Sequence, residues 1–237
     1  MATSSPTVDV GGSPMAIFTA FPQAAGPRPA LVLIHHRDGV DEFTKATAER
    51  YAANGFVCAA PNLYHRRPAD EDSKVSRTKL DDGEIVADIN ATVAQLQSLP
   101  QVNRNAMGIL GHCMGGRMTF LGAATNPAFK AASMFYGGGI FVAQGKGTPA
   151  PFELVKNIKC PFAGFFGKED KNPSPDDVAR ISAEFTRLNI RHDFKIYDGT
   201  GHAFQNFSNP DSYRKASSDD AWVRALAFFN AELAGAR

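Results

Sequence analysis

Residues 107–116 read Met-Gly-Ile-Leu-Gly-His-Cys-Met-Gly-Gly, an apolar run that breaks abruptly into a glycine-flanked cysteine. The run predicts a buried strand, and glycines two residues either side of Cys113 predict a sharp reversal into a helix. Glycine is needed there because neighbouring backbones pass too close for a Cβ. The apex residue then lies at the N-terminus of the next helix, where free N–H groups and the helix dipole favour an anion. Cysteine suits that place chemically. Gly-x-Cys-x-Gly also occurs by chance, and free cysteines are mostly small buried apolar residues, so the reading needs support from further along the chain.

Two later segments supply it. Residues 160–167, Cys-Pro-Phe-Ala-Gly-Phe-Phe-Gly, have a buried-strand pattern ending in Lys168-Glu169-Asp170. Residues 193–197, Asp-Phe-Lys-Ile-Tyr, run into Asp198-Gly199-Thr200-Gly201-His202. Nucleophile, acid and histidine therefore follow one another as in the α/β-hydrolases. Each falls just past the carboxyl end of a predicted strand, where open α/β sheets bind their ligands.

Around these segments short apolar strands alternate with helical patterns, the sequence form of a mainly parallel sheet with helices on both faces. Strands are predicted over 15–20, 30–35, 56–60, 107–110, 132–136, 162–166 and 193–197, and helices over 41–54, 82–99, 114–125, 175–188 and 218–233. Ser174-Pro175-Asp176-Asp177 is a strong helix start, with an N-cap hydroxyl, proline at the first position and acids at the positive dipole end. Asn54-Gly55 is an equally strong stop. No repeat or long linker divides the chain, so a single domain over 1–237 is expected, with 1–14 a flexible or peripheral segment. Residues 65–79, dense in charge, and 137–151, rich in Gly and Pro, read as solvated surface loops. The first follows a strand end and is within reach of the site, which makes Arg77 a candidate contact for a substrate carboxylate.

The chain resembles the dienelactone hydrolase family over nearly its whole length. The likeness rests on Pro61-Asn62-Leu63-Tyr64, on Gly111-His112-Cys113-Met114-Gly115-Gly116 and on the aspartate after the strand ending at Gly167. Its most specific part is the ending: Gly201-His202-Ala203-Phe204, Tyr213, Ala221-Trp222 and Phe228-Phe229. This resemblance implies a single-domain α/β-hydrolase fold and a Cys-His-Asp triad carried onto Cys113, His202 and Asp170. It implies hydrolysis of small esters or lactones through an acyl-thioester, without cofactor or metal. By position in such a fold, the backbone N–H groups of Arg37 and Met114 form the oxyanion hole.

Two departures stand close to this chemistry. Family members typically carry glutamate where this chain has His36, which either assists Cys113 or hydrogen-bonds its own loop; the sequence leaves both open. Four positions after His202 the family has a basic residue that binds a substrate carboxylate, and here it is Asn206. That exchange points to neutral substrates unless Arg77 or Arg37 compensates. Tyr64 is a further candidate substrate or thiol contact.

Composition bounds the alternatives. With 25 Lys and Arg against 24 Asp and Glu, formal net charge is +1, so no global field attracts nucleic acid or an acidic membrane surface. No secretory signal or bilayer-spanning run is visible. Cys58, Cys113 and Cys160 form no disulfide framework, which suits a reduced cytoplasmic protein, a monomer or small homo-oligomer. Cys58 and Cys160 lack an elbow and read as packing residues. His36-Arg37-Asp38 imitates a kinase catalytic loop, but no Gly-rich phosphate loop or Asp-Phe-Gly accompanies it. A cysteine peptidase using the same triad, and a non-catalytic ligand-binding member of the same fold, remain as alternatives.

Overall fold

The computed structural model of the protein describes residues 2–233. In β4 (Arg28–Ile34), Leu31 and Leu33 face one core while Val32 and Ile34 face another, the period of two that a strand covered on both sides must satisfy. Around β4 lie β5 (Val57–Pro61), β6 (Val102–His112), β7 (Phe129–Phe135), β8 (Phe162–Gly167) and β9 (His192–Tyr197), all parallel in the order β5-β4-β6-β7-β8-β9. β3 (Ser13–Phe21) adds antiparallel to β5 and itself pairs with β1 (Ala2–Ser4) and β2 (Thr7–Val10). The result is a nine-stranded sheet among the described residues.

Helices cover both faces. α1 (Glu42–Ala53) and α6 (Lys215–Leu233) lie on one, where Tyr51, Trp222 and Phe229 pack over Leu110, Phe135 and Phe165. α6 is held by Trp222, Ala225, Phe229 and Leu233, at helical spacing along one side. Burying one such large apolar side chain contributes about 1.5–3 kcal/mol. A short helix, α2 (Ser73–Ser76), lies in the segment after β5. α3 (Asp82–Ser98), α4 (Met114–Thr125) and α5 (Pro175–Arg187) cover the opposite face, with Ile85, Ile89, Phe120, Ile181 and Phe185 over Ile109, Phe162 and Phe166. α5 begins as its residues dictate: Ser174 accepts from Asp177 N–H, and Asp177 accepts from Ser174 N–H.

The structure departs from the sequence reading at the chain's start. Residues 2–10, read as flexible or peripheral, contain two strands paired to β3 at the sheet's edge. Only Val10 of these strands is buried, so their apolar pattern was too thin to stand out. β6 begins at Val102, five residues before the predicted start, because Asn103, Arg104 and Asn105 interrupt the apolar run. α6 likewise begins three residues early, through Lys215-Ala216-Ser217. Among the described residues no helix is long and apolar enough to cross a membrane.

Candidate active site

Cys113 stands between β6 and α4 with φ at +56°, a left-handed conformation that a residue with a Cβ adopts at a cost of about 1–3 kcal/mol. Its surroundings over-determine it. Cys113 N–H donates to Phe135 O at 3.0 Å, pinning the apex to β7. A Cβ at Gly111 would lie 2.3 Å from Gly115 O, and one at Gly115 would lie 2.2 Å from Ile34 O, so the turn closes only because both are glycine. The motif's residue types and its backbone path are one requirement.

The elbow aims the thiol at the loops that follow β8 and β9. His202 Nε2 lies 2.9 Å from Cys113 Sγ, and His202 Nδ1 lies 2.7 Å from Asp170 Oδ2. Asp170 is buried, and its other oxygen accepts the Asn172 N–H at 2.9 Å. Burial on its own would lower the pKa of His202. The bonds to Asp170 and Cys113 and the charges of both outweigh it, and the imidazole is raised to about 10. At neutral pH the ring therefore holds its proton between a carboxylate and the sulfur.

A cavity of about 870 Å³ opens at this point, lined among others by Cys113, His202, Asp170, Tyr136 and Asn206. Its walls include Arg37, His36 and Asp38 from the loop after β4, and Arg77 and Thr78 from the segment after β5. Met114, also in the lining, is the first residue of α4, whose leading N–H groups have no intrahelical partner. Among the described residues no acceptor takes the Arg37 N–H. Arg37 and Met114, the two residues whose backbone N–H groups the sequence reading put forward as donors, thus both line the cavity.

The other candidates divide. His36 is buried, and its ring is turned to carboxylates: Nε2 lies 2.8 Å from Asp41 Oδ2 and Nδ1 lies 3.5 Å from Asp38 Oδ2. The ring thus bonds within its own loop, and the hydrogen bond of Cys113 Sγ runs to His202. Asp41 also caps α1 through Thr44 N–H. Its carboxyl is partly buried, yet the bonds from His36 and Thr44 hold its pKa below the usual range. Asn206 lines the cavity, but its Oδ1 is taken by Ser208 N–H at 3.0 Å. Tyr64 donates to Arg37 O at 2.7 Å and approaches Met114 Sδ at 3.6 Å, so it braces the loop after β4. Arg77 has no ion-pair partner among the described residues, whereas Arg37 lies 3.5 Å from Asp38.

Three features escaped the sequence reading. Arg117, fully buried in α4, is bidentate to Asp82 at 2.5 and 2.9 Å and also donates to Gly139 O and Val142 O. It anchors the 137–151 segment, which supplies Gly138, Gly139 and Gln144 to the cavity and is not merely a solvated loop. The signal was a lone arginine in an otherwise apolar helix. Lys171 follows the triad-position aspartate into the lining. His112, next to Cys113, lies 2.9 Å from Gln205 and stacks on Phe135, and burial pushes its pKa down to about 3. It ties the strand bearing Cys113 to the loop bearing His202.

A mainly parallel sheet with a glycine-flanked cysteine at the turn after the central strand β6, and an aspartate and a histidine after later strands, is the architecture of an α/β-hydrolase. More narrowly, the chain belongs to the dienelactone hydrolase family, whose model matches residues 15–233, and it is a hydrolase of that type. It is 33% identical, over 91% of both chains, to a protein of Synechocystis sp. provisionally named carboxymethylenebutenolidase. It is 29% identical to a Bradyrhizobium sp. protein named as a probable 2-oxo-3-(5-oxofuran-2-ylidene)propanoate lactonase, over 97% of this chain and 95% of that one. Among solved structures it resembles a provisionally assigned dienelactone hydrolase from Klebsiella pneumoniae, with TM-score 0.85 and 27% identity over 97% and 99% of the two chains.

Proposed function

We propose that the protein hydrolyses small carboxylic esters and lactones by acyl transfer to Cys113, with His202 and Asp170 completing a triad. The observation that carries this reading is the continuous relay from Asp170 through His202 to the sulfur, 2.7 and 2.9 Å long, at the wall of a cavity large enough for a small substrate. Sγ attacks the carbonyl carbon, and the oxygen's developing charge is received by the N–H groups of Arg37 and Met114. Collapse breaks the carbon–oxygen bond, and the leaving alkoxide takes the proton of His202. A water then attacks the thioester, giving its proton to His202. The carbon–sulfur bond breaks, and the acid departs.

A sulfur nucleophile expels activated oxygen leaving groups more readily than amines, which favours esters and enol lactones over peptides. The lactone names of the relatives point the same way. The test is intact-mass spectrometry of protein quenched during turnover of an ester and lactone panel. The expected result is one acyl increment, mapped to Cys113 and absent from Cys113→Ala. An acyl group on another residue, or turnover surviving in Cys113→Ala, overturns the reading.

A further inference from the structure

We propose that His35, a buried imidazole outside the triad, is a positioning residue that aims the Arg37 N–H at the acyl oxygen; this rests on the acyl-transfer reading above. His35 directly follows β4 and is 1% exposed. Its Nε2 lies 3.2 Å from the Leu63 N–H. A backbone N–H can only donate, so Nε2 accepts and the ring proton sits on Nδ1. Nδ1 lies 2.6 Å from His36 O and donates to it. Burial pushes the pKa of His35 down to about 4, so the ring stays neutral in this single tautomer.

The carbonyl that His35 engages belongs to the peptide unit whose N–H is that of Arg37. The same oxygen accepts Gly39 N–H at 3.2 Å, so donors hold it from two sides. The 36–37 peptide bond is trans, so its N–H points opposite to its C=O. With the oxygen drawn toward buried His35, the N–H is turned away from it, and Arg37 lines the cavity. A hydrogen bond accepted at the oxygen also polarises the unit and strengthens its N–H as a donor. The next peptide is held as well: Tyr64, whose ring packs on His35 at 5.0 Å, donates its hydroxyl to Arg37 O. Leu63 and Tyr64, just past β5, thereby brace the loop after β4.

The experiment compares two reactions of Cys113. Hydrolysis of p-nitrophenyl acetate builds an oxyanion, whereas alkylation by iodoacetamide at a saturated carbon builds none. His35→Leu should lower kcat about tenfold to a hundredfold, part of the roughly 10²–10³ lost when one oxyanion donor is removed outright. KM and the Cys113 alkylation rate should stay within about threefold, a window narrower than the tenfold that 1.4 kcal/mol produces. His35→Gln, whose amide can donate to His36 O and accept from Leu63 N–H, should recover most of kcat. If His35→Leu does not fold, Tyr64→Phe carries the test, since it keeps the ring and removes only the hydroxyl, and kcat should fall while alkylation does not. An unchanged kcat in the folded variant, or equal falls in kcat and alkylation, overturns the inference. Wild-type protein that hydrolyses no ester overturns the acyl-transfer reading itself, and this inference with it.

Discussion

At the scale of the residue, the proton on His202 is the hinge of the proposed chemistry. Its pKa of about 10 in the folded chain lies above the free value of 6.5, because Asp170 and Cys113 together outweigh burial. A pKa raised on folding adds stability that is fully present below about pH 6.5 and is lost as pH rises through about 10. Asp170→Asn removes one of the groups that raise it. The variant should therefore be less stable than wild type below pH 6, and the gap should narrow progressively toward pH 10 and above. Denaturant unfolding of both proteins across that range measures it, and a gap that stays constant or widens contradicts the account. The order Cys113, Asp170, His202 was legible because each residue follows a strand pattern, apolar runs before Cys113 and Asp170 and the alternating Asp193-Phe194-Lys195-Ile196-Tyr197 before His202. The orientation of His36 was not, because the partners that turn it away, Asp38 and Asp41, are as compatible in sequence with a loop bond as with a role at the sulfur.

At the scale of the element, α4 does two jobs. Its N-terminus borders the cavity through Met114, and Arg117 one turn later reaches sideways to Asp82 at the start of α3. Both charged groups are almost wholly buried. Removing one partner of such a pair leaves an uncompensated buried charge and costs about 3–5 kcal/mol. Arg117→Met should destabilise the fold by about that amount in urea titration, with proteolysis within 137–151 rising as Gly139 O and Val142 O lose their donor. Adding Asp82→Leu should recover part of the loss, since the stranded carboxylate is then gone. Strictly additive losses would show that the two side chains do not act as a pair. This link was invisible in the sequence because its partners lie 35 residues apart. Local signals fared better: Ser174 with Pro175 placed the start of α5, and Asn54 with Gly55, at φ +94°, placed the end of α1.

At the scale of the whole molecule, the alternation of apolar strands and helices fixed a doubly covered parallel sheet, because burial on both faces demands continuous apolar runs. The charge preference of the cavity is a different matter, since it depends on where loops from distant positions converge. A net charge of +1 gives no long-range steering, so discrimination between neutral and anionic esters falls to the cavity wall. That wall holds Asp38 and Asp41 with Arg37 close to Asp38, while Arg77 and Lys171 border it without ion-pair partners among the described residues. At Asn206, where the family resemblance leads one to expect a cation, the carbonyl is occupied by Ser208 N–H and only a neutral amide NH₂ remains. A charge-assisted contact is worth about 1.5–3 kcal/mol against roughly 1 for a neutral one. The difference, about 0.5–2 kcal/mol, corresponds to about twofold to thirtyfold in affinity. For a matched pair of esters, one bearing a carboxylate and one with that acid capped, wild-type kcat/KM should favour the capped member. Asn206→Arg should shift the ratio about tenfold toward the acid and make it fall with added salt, as an exposed ion pair does. A strong wild-type preference for the acid-bearing ester would reject this account and assign the clamp to Arg77, whose replacement by glutamine would then remove that preference while leaving the capped ester's kcat/KM in place.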